Sequence, residues 1–256
     1  MQGGIFPFFT KGRSVKTCNL EYLRDFPYDL IDAAVNEYTD GLLFGFTISY
    51  ENGRIMISKG VCKYQGDIII VPATTLDIIV YNQQQYITLV MGECEATEDF
   101  STRAITITLT DTAPSNDKEI ELGRFSLEEA ATLRCKYTSF ADLRTSTNTL
   151  DVTHVRYAGL GGHALSPIVM KVFAQEVLAK SSETIDSNFA LMCLNSHVVH
   201  YETLEWYLAK RCRSEHKAHS FSTLYEELSD ILLQHDRAQP SLPPEKPKRK
   251  GPTIGY

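Results

Sequence analysis

The sequence predicts an α+β protein, with an N-terminal antiparallel β-sandwich or barrel followed by a three-helix region and an extended tail. Short segments that alternate apolar and polar residues fill most of the first half of the 256-residue chain. Apolar residues recur at helical spacing from residue 166 onward, and the C-terminal end is rich in proline and basic residues. We therefore divide the chain into a β-rich domain at 1–158, a helical domain at 159–238 and a tail at 239–256.

One short helix is predicted before the strands. The segment FPYDLIDAAVNEYTDG places Pro27 near a helix start and Gly41 at its end. Asn52-Gly53 then separates two alternating segments, which is a strong signal for a β-hairpin. Gly66-Asp67 indicates a second turn. Further strands are predicted in the segments TTLDIIVY, QQYITLVMGE, RAITITLT and KEIELGRF, and SLEEAATL is predicted to form one or two helical turns.

The helical region contains three predicted helices. Ser166-Pro167 combines a capping residue with proline at the first helical position. The second helix is expected from about Asp186 to Arg211, and the third from Ser222 or Thr223. The second helix has apolar residues on two faces and therefore needs neighbours on two sides. One of these faces is predicted to be the interface between subunits, and its residues are Leu191, Leu194, Val198, Tyr201 and Leu208.

A glycine-rich loop, YAGLGGHALSP, separates the two parts. Gly159, Gly161 and Ala164 match a loose dinucleotide-binding fingerprint. In that fingerprint the helix begins within the glycines and a strand follows the helix, whereas here the cap is Ser166 and only helices follow. We therefore interpret Gly159, Gly161 and Gly162 as a flexible hinge between the β-rich and helical domains.

The sequence contains no catalytic motif that we recognise. It has neither a G-x-S-x-G nucleophile elbow nor a phosphate-binding G-x-x-x-x-G-K-[ST] loop. The six cysteines are spread singly, and the histidine pairs His197/His200 and His216/His219 have no third ligand at a metalloprotease spacing. We therefore expect no enzyme activity, no metal and no cofactor.

Charge and hydropathy narrow the range of partners. The formal net charge of −7 and the sequence pI near 5.5 argue against nucleic acid as the main partner. No run of eighteen apolar residues predicts a membrane span, and the N-terminus is a poor signal peptide, so we expect a soluble protein inside the cell. The basic tail is predicted to anchor on a neighbouring subunit through Lys246, Lys248, Arg249, Lys250 and Tyr256.

Three longer segments carry a resemblance to a known group. They are NLEYLRDFPYDLIDAAVNEYTDGLL, SKGVCKYQGDIIIV and LRCKYTSFADLRTSTNTLDVTHVRYAGLGGHALSPIVMKVFAQE. The arrangement resembles small tail-module proteins of contractile phages and prophages of Gram-positive bacteria. Its layout is also similar to the trimeric adaptor of the type VI secretion baseplate. The resemblance implies a baseplate subunit that forms a homotrimer, as that adaptor does. Such a subunit would link baseplate components or receptor-binding fibres in a virion or particle tail assembled in the bacterial cytoplasm.

Two alternatives of other classes stay open at the level of sequence. One is a small enzyme whose site lies at the junction between the domains, around His154, Arg156 and His163. The other is a ligand-binding β module, for example for sugars, which would need exposed aromatic residues on one sheet face. The chain has 13 tyrosines and 12 phenylalanines but one tryptophan, so this composition does not favour sugars.

Overall fold

A computed structural model describes residues 7–98, 100–212 and 220–238, and the predicted tail anchor lies outside them. The chain begins with helix α1, Thr17–Val35, and nine strands follow. The strands are β1 Gly41–Gly45, β2 Ile48–Glu51, β3 Arg54–Ile57, β4 Gly60–Tyr64, β5 Asp67–Val71, β6 Thr74–Asp77, β7 Gln84–Ala96, β8 Ser101–Thr110 and β9 Glu119–Ser126.

Helix α1 is longer than predicted. It begins at Thr17, because the Asn19 side chain accepts a hydrogen bond from the Lys16 backbone N–H at 3.2 Å and so satisfies a donor at the helix start. Pro27 lies inside the helix and not near its beginning. The prediction gave Pro27 too much weight as a start signal, since proline also occurs within helices at the expense of one backbone hydrogen bond.

Two-residue turns organise the short strands. Asn52 and Gly53, with φ values of 51° and 82°, connect β2 to β3 and confirm the predicted hairpin. The turn between β4 and β5 is formed by Gln65 and Gly66, also at positive φ, so Asp67 already belongs to β5. Both turns place residues in the left-handed region, which matches the natural twist of paired strands.

The strands form three separate three-stranded antiparallel sheets, ordered β1-β4-β5, β2-β3-β6 and β8-β7-β9. The antiparallel character is confirmed. The barrel alternative is wrong, because the strands in the described ranges divide among these small sheets and do not close into one cylinder. Most strands have only four or five residues, and this limits how far each sheet can extend.

An irregular segment leads from β9 to the helices. The predicted helical turn in SLEEAATL is absent from the described structure, where Ala130 has a φ of 63° that a helix cannot accept. A short 3-10 turn forms at Ala141–Arg144. Between residues 150 and 164 the backbone forms isolated bridges, such as Arg124 with Asp151 and Tyr157 with Ala164.

Within the described residues, four helices follow where three were predicted. They are α2 Pro167–Lys180, α3 Thr184–Asn195, α4 Tyr201–Cys212 and α5 Phe221–Ala238. The start of α2 at Ser166-Pro167 is confirmed. The single second helix is wrong, since Ser196 has an extended backbone and ends α3. In the connection that follows, His197 Nε2 donates to the Leu43 carbonyl at 2.8 Å, and His200 Nδ1 accepts from the Leu160 N–H at 3.2 Å.

Most buried side chains from strands and helices belong to one hydrophobic cluster, and a small second cluster consists of Val35, Leu43 and Ala158. Aromatic rings run through its helical part: Phe140 lies 5.7 Å from Phe173, Phe173 lies 6.2 Å from Phe189, and Phe189 stacks on Tyr207 at 3.8 Å. The Tyr225 hydroxyl donates to the Phe140 carbonyl at 2.9 Å and joins α5 to the irregular segment. The domain boundary at residue 158 stays a prediction.

A buried carboxylate joins the helices. Asp186 on α3 is completely buried and accepts hydrogen bonds from Ser181 Oγ at 2.6 Å, Tyr207 OH at 2.9 Å, Arg211 Nε at 3.1 Å and His235 Nε2 at 2.8 Å. Burial alone would raise the pKa of Asp186, but the hydrogen bonds from Ser181 and Tyr207 and the positive charge of Arg211 outweigh it and lower this pKa. The carboxylate therefore fixes α4 and α5 against α3.

Candidate functional site

The first α-helix exposes an apolar face that no other part of the described chain covers. Leu20, Leu23 and Leu30 are 57%, 48% and 61% exposed, and Val35 is the one buried residue of α1. The neighbours of this helix lie mainly in strand β5. Large apolar side chains concentrated on one exposed helix face mark an interaction surface more often than a solvated one.

The exposed apolar residues of α1 follow a coiled-coil spacing. Leu20, Leu23, Pro27, Leu30 and Ala34 are separated alternately by three and four residues, so they form one stripe along the helix. The opposite face is acidic, with carboxylates at Glu21, Asp25, Asp29 and Asp32. This division into an apolar and a charged face is typical of a helix that packs against another protein surface.

The C-terminal end of α1 is anchored by a buried lysine. Lys63 on β4 is 5% exposed, and its Nζ donates to the backbone carbonyls of Val35 at 2.8 Å, Asn36 at 2.8 Å and Tyr38 at 2.9 Å. A cation at this position satisfies carbonyls that have no partner within the helix and complements the negative end of the helix dipole. Lys63 therefore fixes where α1 leaves the body of the protein.

A second apolar surface lies between α3 and α4. It is a groove of about 520 Å³, and we call it the α3–α4 groove. Its lining consists of Ile185, Asn188, Phe189, Met192, Trp206, Tyr207 and Lys210. Phe189 and Tyr207 are buried and form its floor, whereas Trp206 is 67% exposed. The groove thus combines a rigid aromatic base with accessible apolar walls.

The five residues predicted to form the interface between subunits differ in their burial. Leu191 and Leu194 are exposed on α3, and they stay predicted contacts. Val198 and Tyr201 are half-buried against the core of their own chain. Leu208 is 1% exposed within the single chain, and its place in an interface between subunits stays a prediction. The five residues do not share one helix, because the break at Ser196 rotates α4 relative to α3.

The glycine-rich loop contacts both halves of the chain. Tyr157 and Ala164 exchange two backbone hydrogen bonds across it, at 3.0 and 2.9 Å. The Gly159 carbonyl accepts from the Thr39 N–H at 3.0 Å, and Gly161 has a φ of 73°, which favours glycine. Gly162 lies against the Tyr201 side chain. The role of Gly159, Gly161 and Gly162 as a hinge stays a prediction.

His154, Arg156 and His163 lie along two neighbouring clefts. One cleft of about 350 Å³ is lined by His154 and Arg156, and another of about 410 Å³ by Arg156 and His163. Burial and the nearby Arg124 lower the pKa of His154, and burial and Arg156 lower the pKa of His163. Arg156 thus lies in both clefts.

The clefts carry charges of both signs. Asp117 and Glu119 line both of them together with Arg156, and Glu121 forms an ion pair with Arg124 at 2.6 Å. His163 Nδ1 is buried with no hydrogen-bond partner. This arrangement suits a polar ligand with donors and acceptors better than a simple anion or cation.

The remaining candidate ligands do not meet. In the described parts of the chain no group of three or more His, Cys, Asp or Glu side chains could hold a metal ion. His197 and His200 make the loop contacts given above, while His216 and His219 lie outside the described residues. Burial raises the pKa of the Cys62 and Cys193 thiols to about 12, which disfavours the reactive thiolate. No helix within the described ranges is long and apolar enough to cross a membrane.

Comparison with known proteins gives distant similarity to solved structures. No protein-family model matches the chain, and no curated protein matches it. The crystal structure of TssK is similar, with a TM-score of 0.39 and 8% identity over 90% of this chain and 69% of that chain. A chain in the cryo-electron microscopy structure of the type VI secretion TssK-TssF-TssG baseplate subcomplex is similar, with a TM-score of 0.37 and 8% identity over 89% of this chain and 98% of that chain.

Sequence reasoning missed the α1 stripe, Lys63 and Asp186. The stripe was readable, since the alternation of three and four residues from Leu20 to Ala34 is present in the sequence. It was missed because the helix was expected to begin at Pro27. Nothing local distinguishes Lys63 or Asp186 from a surface charge, because their partners come from distant segments.

Proposed function

We propose that the protein is a non-enzymatic structural subunit of a phage tail or contractile injection machine baseplate, and that it associates with itself through α1. The observation that carries the proposal is the apolar stripe of α1, which stays exposed in the single chain. Complete burial of a leucine side chain is favourable by about 1.5–3 kcal/mol, so an exposed stripe of several such residues provides a strong driving force for association.

The class of assembly follows from the resemblance in the sequence segments given above. A baseplate subunit has to bind copies of itself and other components at the same time. Apart from the α1 stripe, the clefts around Arg156 lie on another part of the chain and are available to other components. We propose a homotrimer with other baseplate or fibre proteins as partners, located in the tail of a virion or related particle.

Two single substitutions in α1 test self-association. Leu23→Asp places a charge in the middle of the apolar stripe, and Tyr28→Asp places the same charge at a similarly exposed position outside it. We expect wild type and Tyr28→Asp to have the mass of an oligomer by light scattering, and Leu23→Asp to have the mass of a monomer. A monomeric wild type, or an unchanged mass for Leu23→Asp, would contradict the proposal.

A ligand site at the clefts around Arg156 is a second candidate function. It is favoured by the buried Nδ1 of His163, which has no hydrogen-bond partner in the structure and could accept one from a ligand. A thermal-shift screen of sugars and amino acids would detect it, with Arg156→Ala as the control variant. We expect a true ligand to raise the unfolding temperature of wild type but not of Arg156→Ala, and equal shifts in both would exclude this site.

A further inference from the structure

We propose that α1 of one copy docks into the α3–α4 groove of the next copy, so that neighbouring subunits are joined by two different surfaces. This inference rests on the proposed function and adds the site to which α1 binds. A contact between unlike surfaces repeats around a ring when the rotation closes, and this agrees with a cyclic oligomer such as a trimer. The same contact between like surfaces would stop at a dimer.

The length of the groove matches the spacing of the α1 stripe. Its α3 wall extends from Ile185 to Met192, which is about 10 Å along a helix at 1.5 Å per residue. The stripe residues Leu20 and Pro27 are separated by the same distance, with Leu23 between them. Amphipathic helices bind apolar grooves through anchors at this spacing, so two turns of α1 can fill the groove.

The charges of the two surfaces are complementary. Helix α1 has four carboxylates and one cation, Arg24. The groove lining has one cation, Lys210, which is exposed at its rim, and no carboxylate. An acidic helix therefore meets no like charge in the groove, and the positive charge of Lys210 attracts the net negative charge of α1 at long range, although the carboxylates lie on the face opposite the stripe.

The groove binds α1 of a second copy, because the α1 stripe and the α3–α4 groove both stay exposed within one chain. Leu23 and Trp206 are both largely accessible, so α1 does not cover the groove of its own chain. The hydrogen bonds of Lys63 also hold the end of α1 at strand β4, and this restrains the helix from folding back.

A mixing experiment tests the inference. Leu23→Asp damages the helix and leaves the groove intact, whereas Met192→Asp damages the groove and leaves the helix intact. We expect each variant alone to be monomeric, and an equimolar mixture to form a heterodimer, since one intact helix can still meet one intact groove. At a dilution where wild type is also monomeric, both variants should unfold at the wild-type temperature, which excludes misfolding as the cause.

The outcomes separate this inference from the proposed function. If Leu23→Asp is monomeric but Met192→Asp keeps the wild-type mass, α1 mediates assembly at another surface and the groove inference is wrong. If both are monomeric and the mixture stays monomeric, the two surfaces do not bind each other. If Leu23→Asp stays oligomeric, the proposed role of α1 itself is wrong.

A milder pair of variants avoids damage to the groove. Lys210→Glu reverses the charge at the rim, and Lys171→Glu makes the same change at an exposed position on α2 outside the groove. We expect Lys210→Glu to weaken self-association by up to about fivefold at low salt and Lys171→Glu to leave it unchanged. Equal effects of both variants would contradict docking at the groove.

Tryptophan fluorescence gives an independent readout. Trp206 is the one tryptophan of the chain and lies in the groove. A docked helix would remove it from water, so the emission of wild type should lie at shorter wavelength than that of Leu23→Asp. Identical emission from an oligomeric wild type and a monomeric Leu23→Asp would overturn the inference.

Discussion

Helices α1 and α5 have the same kind of sequence and opposite surroundings. Both are amphipathic and of similar length, with apolar residues at three- and four-residue spacing. In α5 the apolar residues Leu224, Leu228 and Ile231 are completely buried. In α1 the corresponding leucines are about half exposed or more. The difference shows that an amphipathic pattern predicts a helix that needs a partner, but does not say whether that partner is the same chain.

The two helices also differ in the polar contacts that join them to the rest of the protein. Helix α5 contributes His235 to the buried network around Asp186. The hydroxyl of Tyr225, also on α5, donates a hydrogen bond to the Phe140 carbonyl. Helix α1 is held at one end, by Lys63. We therefore interpret α5 as part of the folding core and α1 as an assembly element, and the following variants test that distinction in order of decreasing effect.

The largest effect is expected where a buried charge network is broken. Asp186→Ala should lower the free energy of unfolding by about 3–5 kcal/mol, because Arg211 and His235 lose their buried partner. Asp236, which pairs with Lys180 at the surface, provides the control: Asp236→Ala should change this free energy by about 0–1 kcal/mol. Denaturant unfolding measures both, and equal losses would mean that the Asp186 network does not hold the helices together.

Matched leucine truncations compare the two helices directly. Leu228→Ala in α5 should lower the free energy of unfolding by about 2–5 kcal/mol, because it leaves a cavity in the core. Leu23→Ala in α1 should change the unfolding of the monomer by less than about 0.5 kcal/mol but weaken self-association. Denaturant titration at a dilution where the protein is monomeric would measure both free energies of unfolding. A large loss of monomer stability for Leu23→Ala would remove the distinction between the helices.

Loss of the Lys63 contacts to α1 should have an intermediate effect on the free energy of unfolding. Lys63→Met removes three hydrogen bonds to carbonyls and should cost about 1–3 kcal/mol, with faster amide hydrogen exchange at the C-terminal end of α1. Lys118→Met removes an exposed ion pair with Glu93 and should cost less than about 1 kcal/mol without changing exchange in α1. Unchanged exchange in Lys63→Met would show that α1 is fixed by its contacts with β5 instead.

The pH dependence of unfolding should also report the Asp186 network. Hydrogen bonds and Arg211 lower the folded-state pKa of Asp186 below its ordinary value of 3.8, in spite of burial. Its contribution to stability is therefore complete above the unfolded-state pKa and is lost as the pH falls through the lower folded-state pKa. We expect Asp186→Asn to lose less stability than wild type between about pH 6 and about pH 3. A parallel loss in both proteins would assign the acid sensitivity to other carboxylates.

The smallest effect on assembly is expected from the exposed part of the predicted interface. Leu191→Asp and Leu194→Asp should each weaken self-association less than Leu23→Asp, because two leucines on α3 form a shorter apolar surface than the α1 stripe. Concentration-dependent light scattering gives the order of the three variants. If Leu194→Asp weakened self-association more than Leu23→Asp, the main interface would lie on α3, as predicted from the sequence.

Two local signals predicted the local structure correctly, whereas those at Pro27 and in SLEEAATL did not. Asn52-Gly53 and Ser166-Pro167 were sufficient to place a hairpin and a helix start, because turn and cap geometry depends on a few neighbouring residues. The number of helices was wrong for the opposite reason. Ser196 ends α3 in a connection where His197 and His200 bond to Leu43 and Leu160, and neither of those partners is near them in sequence.

The sequence by itself determined the α+β class, the antiparallel strands and the amphipathic faces, since these depend on the periodicity of apolar residues. Only the tertiary structure decided which faces are covered: it buried Leu208 and Leu228 and left Leu23 exposed. It also brought Lys63 to the end of α1 and Arg211 and His235 to Asp186. The physical reason is that burial and ion pairing depend on contacts between distant segments, and no local pattern in the chain records them.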